Sequence, residues 1–290
     1  MHLLSKFQSF LLQGNERTVL AKKNIIASLG LKCISILISL QVVPLTIGYI
    51  DTVKYGIWLT LSSIISWLSF FDLGFAHGFR NRFAEAKAKG DMQTAKEYLS
   101  TTYAVLSILF TLIFIGITVA NHYIHWSEIL IIDRQYNAEL HTVFGLLACF
   151  FCLNIVGSVF TTMLMADQKP AMASLIQTGG QVLAFITIYV LTKTTAGNLV
   201  NLAIAFSGIP CILLFIVSFF IFRTERYKPI APSSRFIRFS LTKNIIGLGG
   251  QFFIIMIAMM FIYQFMNIII SRVKGPEAVT EYNIAYKYFN

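Results

Sequence analysis

Long stretches without a single charge alternate with short charged ones along this chain, and that alternation leaves few folds open. Residues 55–71 hold no Asp, Glu, Lys or Arg in 17 positions, and residues 103–120 none in 18. A helix needs about 20 mostly apolar residues to cross a bilayer, and backbone in lipid must satisfy its own hydrogen bonds. The runs therefore read as membrane-spanning helices. Composition agrees: 12% of residues are charged, against about 25% in a soluble domain, and mean hydropathy is +0.71. The fold class that follows is an all-α polytopic membrane protein.

Seven spans are expected, near residues 24–50, 55–75, 101–120, 140–165, 173–191, 199–222 and 244–270, with an eighth beginning near Tyr282. Residues 1–13 place Leu3, Leu4, Phe7, Phe10 and Leu11 on one helical face, the pattern of a helix lying in the headgroup region. No secretory signal peptide is visible, because the first apolar stretch is too long for one. The polar run 70–102 reads as a loop with two short amphipathic pieces. One covers residues 81–89 and stops at Gly90; the other starts from Asp91 as N-cap and runs into the third span.

The formal net charge of +10 is first an orientation signal. Segments 1–24, 76–100, 166–172 and 223–243 carry sixteen Lys and Arg, against five in 51–54, 121–138, 193–198 and 271–278. The excess marks the cytoplasmic side, so the N-terminus and the Arg80 loop are expected there. With the charge explained, nucleic acid is not expected as a partner.

Two internal echoes bear on domain organisation. Lys23-Asn24-Ile25-Ile26 recurs as Lys243-Asn244-Ile245-Ile246 at an offset of 220, and residues 48–55 find a looser partner in 275–282 at 227. Together they imply a parallel duplication, an arrangement common in transporters. Residues 1–222 are then a six-helix N-terminal transmembrane lobe, 223–243 a cytoplasmic inter-lobe linker, and 244–290 the start of a second, repeat-related lobe. On this reading the chain is truncated.

Polar residues inside the spans need water or a protein partner, so their pattern points to a functional site. Ser28, Lys32, Ser35, Ser39 and Thr46 share one face of the first span. Ser62, Ser66 and Ser69 form a stripe on the second, and Ser174, Gln177 and Gln181 on the fifth, beside Gly179 and Gly180. The seventh contributes Gln251, Gln264 and Asn267. Two readings stay open: packing glue between helices, which suits serines, and a wet cavity, which suits the amides and Lys32 better. Candidate cavity residues are Lys32, Ser35, Ser39, Gln177, Gln181 and Gln251. A lysine about 12 Å into the membrane either snorkels to the interface or faces the cavity and attracts an anion. Asp72, Arg80 and Arg82 are the candidates for a cytoplasmic gate. Pro44 and Pro210 interrupt helix hydrogen bonding.

Other motifs carry less. Cys149 and Cys152 have redox or metal spacing but sit in an apolar helix, where they read as small packing residues. His122 and His125, with Glu128 and Asp133, read as a solvated outer loop. No metal, cofactor or catalytic residue is expected, and the chain is not expected to be an enzyme.

The run from Tyr55 to Asp91 resembles the second-span and first-loop signature of Wzx-type polysaccharide flippases. These belong to the multidrug, oligosaccharidyl-lipid and polysaccharide exporter superfamily. The matching residues are Tyr55, Gly56, Trp58, Asp72, Gly74, Gly78, Arg80, Asn81, Gly90 and Asp91. The resemblance implies two six-helix lobes in a MATE-like V around a central cavity in the bacterial inner membrane. It further implies export of an undecaprenyl-diphosphate-linked oligosaccharide for O-antigen or lipopolysaccharide assembly, alongside a polysaccharide polymerase or assembly complex. Two alternatives are a cation-coupled multidrug exporter of the same fold and a non-transporting partner of a glycan assembly complex.

Overall fold

The computed structural model describes residues 15–50, 52–66, 74–129, 137–247, 250, 254, 255 and 258. The helical face expected over residues 1–13, Asp72, Gln251, the 275–282 copy of the second internal echo, most of the expected seventh span and all of the eighth lie outside them. Among the described residues there is no strand. The helices are α1 (Glu16–Ile50), α2 (Thr52–Ser66), α3 (Phe75–Ala88), α4 (Met92–Tyr123), α5 (Trp126–Ile129), α6 (Asn137–Ala166) and α7 (Pro170–Thr194). Then α8 (Leu199–Ala203) and α9 (Ile209–Phe222) form one continuous span, joined by a π-turn over Ile204–Gly208. Among the described residues, five helices are long and apolar enough to cross a membrane: Lys22–Ile50, Met92–Tyr123, Asn137–Ala166, Pro170–Thr194 and Leu199–Phe222.

The expected limits hold closely for the third to sixth spans. Phe75 is a correction: the apolar run put it at the end of the second span, whereas it is the first residue of α3. Gly74 explains this, because its φ of +74° is a left-handed conformation that interrupts a right-handed helix. The amphipathic piece accordingly starts at Phe75, six residues before the expected Asn81. Its face then buries Phe75, Phe79 and Phe83 at intervals of four. Its stop is as the sequence implies. Gly90 has φ +75°, and Asp91 accepts a 2.9 Å bond from the Thr94 backbone N–H to cap α4.

The apolar residues sort into two layers and a rim. One buried cluster, around Phe79, Leu99, Phe160 and Met163, fills the end of the bundle near α3. A second, around Trp58, Trp126, Phe144 and Leu202, fills the opposite end. The rim is apolar yet exposed, as at Leu37, Leu112, Ile186 and Phe219. Such a rim is what lipid contact requires. Lipid chains compete equally well for apolar side chains, so close approach and small residues must hold the helices together. At Gly180 on α7 an added Cβ would lie 3.1 Å from the Pro210 backbone, so this glycine lets α9 sit against α7.

The end bearing α3 is tied by charge. Asp167, in the turn between α6 and α7, is buried and receives Lys87 Nζ from α3, Tyr227 OH at 2.7 Å and Arg226 at 3.3 Å. Gln168, beside it at φ +59°, accepts a 3.1 Å bond on its carbonyl from Asn24 of α1. Burial disfavours the Asp167 carboxylate. The hydrogen bonds from Lys87 and Tyr227, and the charges of Lys87 and Arg226, outweigh it and hold the group below the usual carboxylate range. The segment 223–243 is thus docked against the helices. Further along it, the Ser233 N–H donates to Ser100, the Arg238 N–H to Thr101, and Lys96 lies 4.5 Å over the Phe236 ring.

Two outcomes are expected. In a background without the four native cysteines, Arg80→Cys and Arg235→Cys label from one side of the membrane and His125→Cys from the other; matched sidedness of positions 80 and 125 would refute the span count. Asp167→Ala, which removes hydrogen bonds to charged partners worth about 1.5–3 kcal/mol each before solvent screening, lowers the melting temperature in detergent and exposes the segment 223–243 to protease. Because the folded Asp167 value is lowered, its contribution is present at neutral pH and is lost as pH falls through that value. Protection in wild type should therefore drop only below about pH 4.

Candidate functional site

A cavity of about 540 Å³ lies between α1, α6, α7 and the α8–α9 span. Its walls come from the middle of the helices: Ser35 is 13 residues past Lys22, or about 20 Å along α1 at 1.5 Å per residue. Polar lining residues are Ser35, Ser39, Asn154, Gln177 and Gln181, with Ser158 and Thr161. No charged side chain lines it. A second space of about 270 Å³ shares Asn154, Phe206 and Pro210 with the first and extends it to Ser62 of α2.

Helical periodicity places these groups. On α1, Ser28, Leu31, Ser35, Ile38 and Val42 recur at intervals of three and four, all partly buried. This stripe faces α7, where Gln177 and Gln181 are one turn apart. Ser35 Oγ donates to Gln181 Oε1 across the gap. Most other hydroxyls behave differently, Ser39 and Ser158 of the lining among them. Ser39, Thr46, Thr102, Thr118, Ser158 and Thr187 donate to a carbonyl one turn back on their own helix. That bond satisfies a hydroxyl without any partner helix or water. The side-chain amides of Asn154 and Gln177 have no such recourse, and make no hydrogen bond to any described residue. They need water or a ligand. The buried hydroxyls of Ser28 and Ser62 are likewise unpartnered among the described residues.

The α8–α9 span bends the wall. Pro210 has no N–H, so the turn before it cannot close in the ordinary way. The Ile209 N–H instead reaches five residues back to the Ile204 carbonyl, the π-turn pattern. Phe206, inside that turn, and Pro210 both line the cavity.

Of the residues the sequence singles out, the cavity gathers Ser35, Ser39, Gln177 and Gln181. Lys32 is not in its lining; it is exposed on α1, about 60° around the helix from Ser35. Arg80 is exposed on α3, and Arg82 is taken by Glu85 of the same helix at 3.1 Å. Gln251 and Asp72 fall outside the described residues. Sequence reasoning missed Asn154, a single amide among apolar neighbours on α6, and Asp167, one carboxylate in a short turn. His122 and His125 are exposed, and no metal-binding group of three His, Cys, Asp or Glu occurs among the described residues.

Known proteins give two kinds of likeness. A family described as "Polysaccharide biosynthesis protein" matches residues 21–290. Among solved structures, a multidrug resistance MATE family transporter of the MOP superfamily, in its outward-facing conformation, aligns with a TM-score of 0.71. Identity is 15%, and the alignment covers 96% of this chain and 61% of that one, so the chain spans less than two-thirds of that transporter's length. The likeness shows a MATE-like helical fold. No curated protein matches by sequence.

Water in the cavity is directly testable. With the native cysteines removed, Gln177→Cys reacts with a charged, membrane-impermeant thiol reagent, and Ile186→Cys on the exposed apolar rim of the same helix does not. Equal protection of both positions would mean a dry cavity.

Proposed function

This chain belongs to the polysaccharide biosynthesis protein family, and from that premise we propose that it is a flippase. Its substrate is an undecaprenyl-diphosphate-linked oligosaccharide, carried across the bacterial inner membrane by alternating access. The observation that supports this most is the cavity's chemistry. Amides and hydroxyls without a lining charge suit the hydroxyl-rich, neutral surface of a sugar. A volume near 540 Å³ falls within the range of about 300–1,000 Å³ usual for small-ligand sites.

The diphosphate needs a cation, and we assign that role to Lys32. It is exposed on α1 within one turn of Ser35, so headgroup and glycan would sit on neighbouring faces of one helix. A lysine in mid-membrane costs about 2.5–3.5 kcal/mol on insertion scales, which an anionic ligand or water must offset. A cationic drug is the opposite case: it is repelled by Lys32 and finds no carboxylate in the lining. At the charged end, Arg80 and Asp72 are proposed to close the cytoplasmic gate, Arg82 being engaged by Glu85.

The test is complementation of a strain lacking its own copy of the gene, scored by surface glycan at matched protein level. Lys32→Arg should keep most export, Lys32→Ala lose much of it, and Lys32→Glu nearly all. Gln181→Leu should reduce export without moving the melting temperature by more than the loss of one hydrogen bond, about 0.5–1.5 kcal/mol. Full export by Lys32→Glu would remove the diphosphate role, and drug resistance without glycan export would favour the multidrug reading.

A further inference from the structure

The turn between α6 and α7 gathers more positive charge than its carboxylate can balance. Asp167 carries the only negative charge among the groups that act on Lys169; the others are Arg226 and Lys87. All three cations ring one aromatic side chain. Lys169 Nζ lies 5.1 Å from the Tyr227 ring centre, Arg226 5.8 Å and Lys87 Nζ 5.9 Å. The Tyr227 hydroxyl is committed to Asp167, which locks the ring in place. Three cations against one carboxylate leave two positive charges unmatched.

Burial, and then the nearby Arg226 and Lys87, lower the Lys169 value against the pull of Asp167. At Lys169, which has no ion pair of its own with Asp167, the repulsion from Arg226 and Lys87 exceeds that carboxylate's pull, and an incoming anion would be welcomed. Lys169 also precedes Pro170, where α7 begins, so the positive end of a 25-residue helix dipole adds to the same field. Access is open: the Arg226 side chain is 59% exposed.

The location narrows the anion. Two spans meet here, α6 ending at Ala166 and α7 starting at Pro170, and α9 ends nearby in sequence to Arg226 at Phe222. Arg223 lies 4.0 Å over the exposed ring of Phe219, the posture of an arginine at the boundary between lipid tails and headgroups. Phosphate is the anion found at that depth.

We propose that Lys87, Lys169 and Arg226 form a binding site for a phosphate group, filled at the membrane surface by the headgroup of an anionic phospholipid. The site is separate from the cavity and stands whether or not the cavity carries glycans. Bound phosphate bridges α3, the α6–α7 turn and the segment after α9. It reinforces the contacts that Asp167 already makes, and its single negative charge offsets one of the two positive charges that Asp167 leaves unmatched.

The experiment uses the whole chain purified in a neutral detergent, with bound lipid read by native mass spectrometry. Phosphatidylglycerol should be retained in preference to phosphatidylcholine. The double variant Lys169→Gln with Arg226→Gln should lose that retention by about tenfold or more. Lys228→Gln with Arg235→Gln removes the same amount of charge outside the cluster, from the segment that carries Arg226, and should leave retention within about twofold. Lys169→Gln alone spares every bond to Asp167, so its several-fold loss would report the site rather than unfolding. Competition by inorganic phosphate at millimolar concentration would support the site and assign its chemistry to the phosphate alone. Equal loss in the two double variants, or retention unchanged in both, would overturn it.

Discussion

Everything in this structure answers to one constraint: a polar group inside a membrane must find its partner within the protein. The long helices satisfy the backbone, and most hydroxyls satisfy themselves on the preceding turn, as Thr46 does on Val42 and Thr118 on Phe114. What remains after that economy is informative. Asn154 and Gln177 carry amides, with more donors and acceptors than one such bond can satisfy. Where they collect, the helices stand apart and a cavity forms. The site is therefore located less by where polar residues occur than by which of them cannot be satisfied locally.

The same constraint at the membrane surface takes an electrostatic form. Asp167 is buried, and a buried carboxylate without partners would be costly. It is met by Lys87, Arg226 and Tyr227, drawn from a helix 80 residues earlier and a segment about 60 later. One side chain thus fastens three separate parts of the chain. The neighbouring Gln168 carbonyl adds α1 through Asn24.

The spans were largely legible in the sequence because absence of charge over 17 or more residues has few structural explanations. The stop at Gly90 and the cap at Asp91 were legible for a local reason, since each acts on backbone within a few residues. Ser35, Ser39, Gln177 and Gln181 emerged from helical period alone. Lys32 shares their interval of three or four and lies within about 20° of Ser39 around the helix, but nearly one turn before Ser35, so it falls beside the cavity lining in a way that a spacing rule does not resolve. The Asp167 contacts had no local signal at all, because their partners are distant in sequence and the turn itself, one acid beside one base, looks like solvated loop. Phe75 misled for another reason: apolarity marks burial equally well on a span and on an amphipathic helix. Only Gly74 distinguished the two.

The two polar systems, cavity and surface cluster, share helices. Asn154, Ser158 and Thr161 line the cavity from α6, Gln177 and Gln181 line it from α7, and Asp167 sits in the turn that joins those helices. From Thr161 to Asp167 is six residues, or about 9 Å of helix, and from Asp167 to Gln177 ten. Helices packed at this density transmit small displacements rather than absorbing them. The segment 223–243 holds the turn that joins both cavity walls through Tyr227 and Arg226, and holds α4 through Ser233 and Arg238. Its grip is on a buried carboxylate rather than on exposed charges, whose pairs are worth about 0–1 kcal/mol.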